Sequence, residues 1–166
     1  MLVLGIDPGT AITGYGLVEY RKGKESLVKC GALMTPSSME MHLRLYEINR
    51  KLALLIEDFK PDVIAIEQLF FHKNAKTAIM VAQARGVAMM TAASYGVQVA
   101  EYTPLQVKQA VAGYGNADKR QVQLMVQRIL SMHQLPKPDD AADALAVAIC
   151  HIHSYRLGEL CKERGY

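Results

Sequence analysis

Residues 2–9 read LVLGIDPG, and this stretch decides the fold that the sequence predicts. The apolar run from Leu2 to Ile6 predicts a central strand of a sheet. Asp7 ends this run, and Pro8 with Gly9 predicts a turn directly after it. The sequence therefore places a carboxylate at the end of a strand whose surroundings are otherwise apolar.

Outward from this strand, the pattern predicts an α/β fold. Strands are predicted at residues 2–7, 14–20, 27–34, 62–67 and 97–102. Helices are predicted at residues 38–59 and 74–95, and again after Pro104 with breaks at residues 113–115, 136 and 138. Asp118 or Ala117 is predicted to start one of the later helices, and Asp139 is predicted to cap the last one. This order describes a mixed five-stranded sheet with helices on both faces.

The composition is that of a globular protein. The chain has 166 residues, of which 51% are hydrophobic and 21% charged, so we expect one domain over residues 1–166. Apolar runs are too short to span a bilayer and no export signal is visible, which favours a cytoplasmic protein without membrane contact. The three cysteines, Cys30, Cys150 and Cys161, are widely spaced and give no indication of a zinc site.

Basic residues are concentrated in one part of the chain. Between Glu67 and Asp139 there are eight basic residues and only two acids, Glu101 and Asp118. The basic residues are Lys73, Lys76, Arg85, Lys108, Lys119, Arg120, Arg128 and Lys137. This distribution fits a phosphate-binding face or a solvated basic surface, and charge alone leaves both interpretations open.

The predicted helix at residues 74–95 is apolar around most of its circumference. Such a helix is buried on more than one side. One side must face the sheet, and a second copy of the chain or another helix of the same chain must cover the other. We favour a homodimer.

Four carboxylates are candidates for a common site. Asp7 and Glu67 end two predicted strands, and they would converge if these strands are neighbours. Asp140 and Asp143 are three residues apart in the first turn of the last helix, so both project from one face. Four carboxylates held together would repel one another strongly unless cations bind between them, and carboxylate oxygens suit Mg²⁺. Two such ions can promote phosphoryl displacement.

Each carboxylate also has a simpler interpretation. Asp7 could start a turn, since Asp-Pro-Gly is a common turn sequence. Glu67 could face solvent at the end of its strand, and Asp139, Asp140 and Asp143 could complement the helix dipole. The joint occurrence of these residues, after apolar strands, is what favours a metal site.

Four blocks of the sequence are similar to a known family. They are GIDPGT at residues 5–10 with GYG at 14–16, IEQLF at 66–70, TPLQVK at 103–108 and DAADALA at 140–146. In this order they resemble the RuvC family of Holliday-junction resolvases, and the likeness extends to about His153. The resemblance implies an RNase H-like fold, a homodimer, and cleavage of four-way DNA junctions by paired nicks that leave 5′-phosphate and 3′-hydroxyl ends, in recombination and repair.

The resemblance also assigns roles to residues. It implies that Asp7, Glu67, Asp140 and Asp143 are the catalytic, metal-binding residues, with two Mg²⁺ ions per site and Mn²⁺ as a substitute. It implies catalytic and DNA-binding roles for Lys108 and Lys119, and entry of Phe70 into the opened junction. It also implies that Asn74 makes DNA contacts linked to the preference for certain DNA sequences. Further DNA contacts are expected from Lys73, Lys76, Arg85 and Arg120. The family works with a branch-migration motor made of two other Ruv proteins.

Three rival functions stay open at this point. The segment from Asp7 to Thr10 is also similar to the phosphate loops of sugar kinases and actin-like ATPases, but those enzymes need two such lobes around the nucleotide. A non-catalytic junction-binding protein would have no use for clustered carboxylates. A related RNase H-like nuclease acting on another branched or hybrid substrate is the hardest rival to separate by sequence.

Overall fold

The computed structural model describes the backbone of residues 1–69 and 75–163, and the side chains of residues 1–69 and 78–158. The strands are β1 (Leu2–Asp7), β2 (Ile12–Arg21), β3 (Lys24–Met34), β4 (Val63–Glu67) and β5 (Gln98–Tyr102). The helices are α1 (Met41–Phe59), α2 (Ala75–Ser94), α3 (Pro104–Ala112), α4 (Lys119–Ile129) and α5 (Asp139–Glu163).

The five strands form one mixed sheet in the order β3-β2-β1-β4-β5. β1 pairs antiparallel with β2 and parallel with β4, and β5 extends the sheet in parallel beyond β4. In the β1–β4 pair Ile6 lies opposite Ile66. Because parallel strands end at the same edge, Asp7 and Glu67 leave the sheet side by side.

Helices cover both faces of the sheet, as the sequence predicts. On one face, Leu4 and Ile64 pack with Leu52 of α1 and Ala88 of α2. On the other face, side chains of β1 and β2 pack with α3, α4 and α5, and Leu145 is fully buried there. Each such aliphatic side chain contributes about 1.5–3 kcal/mol on burial, so these two cores hold the strand ends in fixed positions.

The long helix α5 lies unusually close to the sheet because glycines face it. A Cβ added at Gly5 would come within 1.9 Å of the Ala144 carbonyl oxygen, and one at Gly14 within 2.0 Å of the Asp140 carbonyl oxygen. Any side chain at these two positions would therefore push α5 away from β1 and β2. This close packing fixes the start of α5 beside the end of β1.

The structure confirms the predicted elements and corrects their limits. The first helix begins at Met41, three residues later than predicted, after the N-cap Glu40. The prediction that Asp139 caps the last helix is wrong, because α5 already begins at Asp139 and the carboxylate lies within its first turn. Among the helices that the structure describes, none is both long and apolar enough to cross a membrane.

Candidate active site

Two elements of the sheet and one helix bring the predicted carboxylates together. Asp7 ends β1 and Glu67 ends the neighbouring β4. Asp140 and Asp143 lie in the first turns of α5, whose close packing on Gly14 brings them to the same end of the sheet. The residues converge only in the folded chain, because 60 or more positions separate the three segments in sequence.

A cavity of about 220 Å³ lies between these elements. Three of the four carboxylates, Asp7, Glu67 and Asp143, line this cavity together with Lys108 and Lys119. Its walls are apolar and come mainly from α3, α4 and α5. Charged groups of both signs therefore share a small space. Water screens the partly buried Asp7 less than it screens Lys119, whose side chain is 55% exposed.

Two helix caps place the two lysines. Thr103 caps α3 through a capping box with Gln106, and Lys108 follows one turn later. Asp118 caps α4 through a second capping box with Gln121, which makes Lys119 the first residue of that helix. The caps fix where each helix begins, and therefore where each ammonium group enters the cavity.

Lys119 is the cation closest to the carboxylates on α5. Its Nζ lies 3.0 Å from Oδ2 of Asp143 and 3.6 Å from Oδ2 of Asp139. Asp139 is thus an additional acid at the edge of the cluster. The sequence motif left it out, and the only signal for it was its position next to Asp140.

Burial and neighbouring negative charge disfavour the ionised forms of these carboxylates. Burial raises the pKa of Asp7 to about 7, and the charges of Asp143, Asp140 and Glu67 add to the effect. Burial also raises the pKa of Glu67, with a further contribution from Asp143, while Lys108 lowers it. The pKa of Asp143 is raised by burial as well, although its hydrogen bond from Lys119 acts in the opposite direction.

This donor set fits a hard divalent cation. Among the side chains that the structure describes, those of residues 1–69 and 78–158, no three His, Cys, Asp or Glu groups already surround a single point. That separation is expected of carboxylates that repel one another with only lysines to balance them. Burial is the main reason for the raised pKa of Asp7, and repulsion from the other carboxylates adds to it. Cations between Asp7, Glu67, Asp140 and Asp143 would offset both effects, and hard cations prefer such oxygen ligands.

The other predicted DNA contacts differ in exposure and in whether their side chains already have a partner. Arg120 is exposed beside Lys119 on α4. Arg85 is half-buried on α2 and forms an ion pair with Glu101, so its guanidinium is already engaged. Phe70, Lys73 and Asn74 lie outside the described residues, and the side chain of Lys76 does as well.

Sequence reasoning missed the residues that support the site. Gly5 and Gly14 lie under α5, and their signal was present as glycines within two apolar strands.

A second cavity, of about 530 Å³, also adjoins Asp7 and Glu67 and has mostly apolar walls. Eight of its nine lining residues lie in the sequence blocks at residues 5–10, 66–70 and 103–108, but only the fold brings these blocks together with Val81.

Comparisons with known proteins agree with this geometry. The family model for "Crossover junction endodeoxyribonuclease RuvC" matches residues 3–151. The enzyme of that name from Syntrophomonas wolfei is 63% identical over 157 residues, covering 95% of this chain and 91% of the relative. The one from Clostridioides difficile is 53% identical, covering 99% of this chain and 98% of the relative.

Solved structures show the same fold. Thermus thermophilus RuvC superposes with a TM-score of 0.87 at 37% identity, over 95% of this chain and 97% of that one. The same protein in complex with a Holliday junction substrate gives a TM-score of 0.90 at 36% identity, over 95% and 96% of the two chains. The fold is RNase H-like, and the chain belongs to the RuvC family of crossover junction endodeoxyribonucleases.

Proposed function

We propose that this chain resolves four-way DNA junctions by making symmetric paired nicks that leave 5′-phosphate and 3′-hydroxyl ends, in recombination and repair. The observation that carries the proposal is the convergence of Asp7, Glu67, Asp140 and Asp143 at one end of the sheet. Relatives more than 50% identical carry the corresponding name, and a structure 36% identical to this chain holds a Holliday junction. The whole chain acts as one nuclease domain.

The four carboxylates are the proposed ligands of Mg²⁺, two ions per site, with Mn²⁺ as a substitute. When bound, these ions supply an activated water and stabilise the oxygen that leaves the phosphorus atom. The protein contributes the positions of its carboxylates, fixed by β1, β4 and α5. The raised pKa values of Asp7, Glu67 and Asp143 support this assignment, because burial, together with the neighbouring carboxylates, disfavours their ionised forms, and bound cations would offset that effect.

Lys108 and Lys119 are the proposed catalytic partners of the carboxylates. Both line the cavity that contains Asp7, so each can hold an oxygen of the scissile phosphate through its ammonium group. Lys119 is held by Asp143 and Asp139, which keeps its charge at the mouth of the cavity. Lys119 is the first residue of α4, directly after the N-cap Asp118, and this cap fixes the position of its backbone.

DNA binding extends beyond this cavity in the proposal. Arg120 continues the basic surface next to Lys119, and its side chain is exposed. Lys73, Asn74 and Lys76 are proposed contacts on the family resemblance, and Phe70 is the proposed aromatic that enters the opened junction. Arg85 is also a proposed DNA contact, and to make it the guanidinium would have to exchange its ion pair with Glu101 for a phosphate.

A homodimer is part of the same proposal, since paired nicks need two active sites. The outer face of α2 supports it, because Ile79 and Met90 are 61% and 55% exposed there. Between them, the small residues Ala82 and Gly86 are also exposed, at the three- and four-residue spacing of one helix face. A second copy of α2 would cover this face closely.

We further propose that the enzyme acts in the cytoplasm with a branch-migration motor made of two other Ruv proteins. This part rests on the family resemblance and on the DNA substrate itself. The motor would present the junction, while the carboxylates of this chain cut it.

Cleavage of synthetic DNA tests the proposed function directly. The protein is incubated with end-labelled four-way junctions, linear duplex and RNA–DNA hybrid, with and without Mg²⁺, and the nicks are mapped. We expect Mg²⁺-dependent nicks at symmetric positions in two opposed strands of the junction. Cleavage confined to the hybrid or the linear duplex would contradict the proposal.

Isosteric variants link this cleavage to the carboxylates. Asp7→Asn, Glu67→Gln, Asp140→Asn and Asp143→Asn should each reduce the cleavage rate at least 10³-fold (an order-of-magnitude estimate for lost electrostatic catalysis) while junction binding persists. Asp58→Asn, which changes an exposed carboxylate on α1, is the matched control. Near-normal cleavage by any one of the four variants would remove that residue from the site.

A further inference from the structure

The second cavity near the active site is the feature from which we infer a new role. Asp7 and Glu67 line both this cavity and the smaller cavity that contains the lysines. The two spaces therefore meet at the carboxylates. A phosphate held between Asp7 and Lys119 would have an adjoining nucleotide within reach of the second cavity.

The walls of this cavity are apolar and come from separate elements. Pro8 follows β1, Leu69 follows β4, Val81 belongs to α2, and Leu105 belongs to α3. The volume, about 530 Å³, is in the range of pockets that hold small planar ligands. Such a wall suits the face of a base that has left its stack, because stacking and apolar contact do not require a charged partner.

One polar side chain adds the means to distinguish bases. Gln68 lines the cavity directly after Glu67, and its carboxamide carries both hydrogen-bond donors and an acceptor. The Thr103 hydroxyl also lines the cavity, but it is engaged in the cap of α3, where it accepts a hydrogen bond from the Gln106 backbone N–H. Gln68 is therefore the lining residue best suited to contact the edge of a base.

Leu105 is exposed but held in place. Its side chain is 54% exposed, although it follows Pro104 at the rigid start of α3. Gly115 packs against Leu105, and a Cβ added at Gly115 would come within 2.2 Å of Leu105 Cδ1. The absence of a side chain at Gly115 thus gives Leu105 room to adopt the position in which it lines the cavity.

We propose that this cavity holds the base of a nucleotide next to the scissile phosphate, and that Leu105, Val81 and Gln68 set the preference for that base. This inference rests on the proposed function, since it needs a phosphate at the carboxylates. It assigns specificity to residues outside the carboxylate and lysine cluster.

Four variants test the inference. Leu105→Ala enlarges the cavity, Val81→Phe fills it, and Gln68→Ala removes its carboxamide. Gly115→Ala displaces Leu105 without changing any lining residue. The control is Leu54→Ala, which shortens a leucine of similar exposure (46%) on α1.

The measurement is kcat/KM on a set of four-way junctions that carry each of the four bases at the positions flanking the cut. Wild type should prefer certain bases. Leu105→Ala and Gly115→Ala should relax this preference roughly tenfold, as expected when an apolar contact is lost. Val81→Phe should lower kcat/KM on every junction. Gln68→Ala should weaken discrimination between bases of similar size.

Junction affinity without divalent metal, together with thermal melting, separates specificity from damage to the fold. Affinity should change less than about twofold in each variant, because phosphate contacts dominate binding. If wild type cuts junctions with a base preference, and all four variants keep that preference as fully as Leu54→Ala does, the inference is overturned while the proposed function stands. Failure of wild type to cut any junction would overturn the proposed function, and the inference with it.

Discussion

Burial and neighbouring negative charge raise the pKa of Asp7, whereas the proposed reaction needs its carboxylate in the ionised form. Its position was predictable, because an acid directly after an apolar strand is visible in the sequence, and the same holds for Glu67.

The partners of the basic residues were not predictable. Lys119 pairs with Asp139 as well as Asp143, and Arg85 pairs with Glu101, since both contacts depend on how distant segments pack.

The strain at Asp7 predicts a pH-dependent effect of Asp7→Asn on stability. Burial raises the folded-state pKa of Asp7 from 3.8 to about 7, so the folded protein binds this proton more tightly than the unfolded chain does. The free energy of unfolding of wild type should therefore decrease as pH rises from about 4 to 7, and then level off. Asparagine avoids this loss, which amounts to roughly 4 kcal/mol at most.

Thermal and urea unfolding in metal-free buffer at pH 5 and pH 8 measures this effect. Asp7→Asn should gain stability over wild type at pH 8, and the gain should be smaller at pH 5. Asp58→Asn on the exposed surface of α1 should show no such gain. Equal destabilisation by Asp7→Asn at both pH values would show that Asp7 is not strained.

At the scale of elements, α2 shows both the strength and the limit of sequence patterns. Its apolar circumference predicted burial on two sides, and the structure buries Ala84, Ala88 and Ala92 against the rest of the chain. The opposite face remains exposed in the single chain, with Ile79 and Met90 prominent. Periodicity predicted a helix apolar on all sides, but only the packed structure separates the face that the chain covers from the face left for a partner.

Gly86→Glu tests the proposed role of that exposed face. A Cβ at Gly86 meets nothing within 4 Å in the single chain, and glutamate favours a helix more than glycine does. The variant should therefore fold normally but become monomeric at micromolar concentration, because a charged side chain would be buried in the interface.

Sedimentation velocity and circular dichroism measure these two properties. The matched control is Gly158→Glu on α5, where an added Cβ is equally free. A dimeric Gly86→Glu protein with wild-type sedimentation would exclude this face as the interface.

At the scale of the whole molecule, the order of strands and helices was predictable, because strands and helices alternate clearly in the sequence. The close approach of α5 to β1 and β2 was not, since it depends on glycines whose neighbours lie more than 100 residues away. The charge distribution was visible early, with a net charge of +3 and basic residues concentrated beyond Glu67. In the structure, Lys108, Lys119 and Arg120 lie around or beside the carboxylate end of the sheet.

Junction affinity should therefore depend strongly on salt. Neutralising about six phosphates would lower the affinity on the order of 10³-fold between 50 and 200 mM salt. Arg120→Ala should reduce the slope of log K against log salt by about 1. Lys24→Ala, at the hairpin opposite the Asp7 end of the sheet, should leave the slope unchanged. A flat salt profile for wild type would argue against a basic DNA-binding face.

The claim on which all of these expectations depend is that the carboxylates from β1, β4 and α5 together capture divalent cations. Crystals soaked in Mn²⁺ and measured for anomalous scattering test it most directly. We predict anomalous peaks within coordination distance of Asp7 that are shared with Glu67, Asp140 or Asp143, and that are lost in Asp7→Asn crystals. Saturating Mn²⁺ without a peak at these oxygens would contradict the claim.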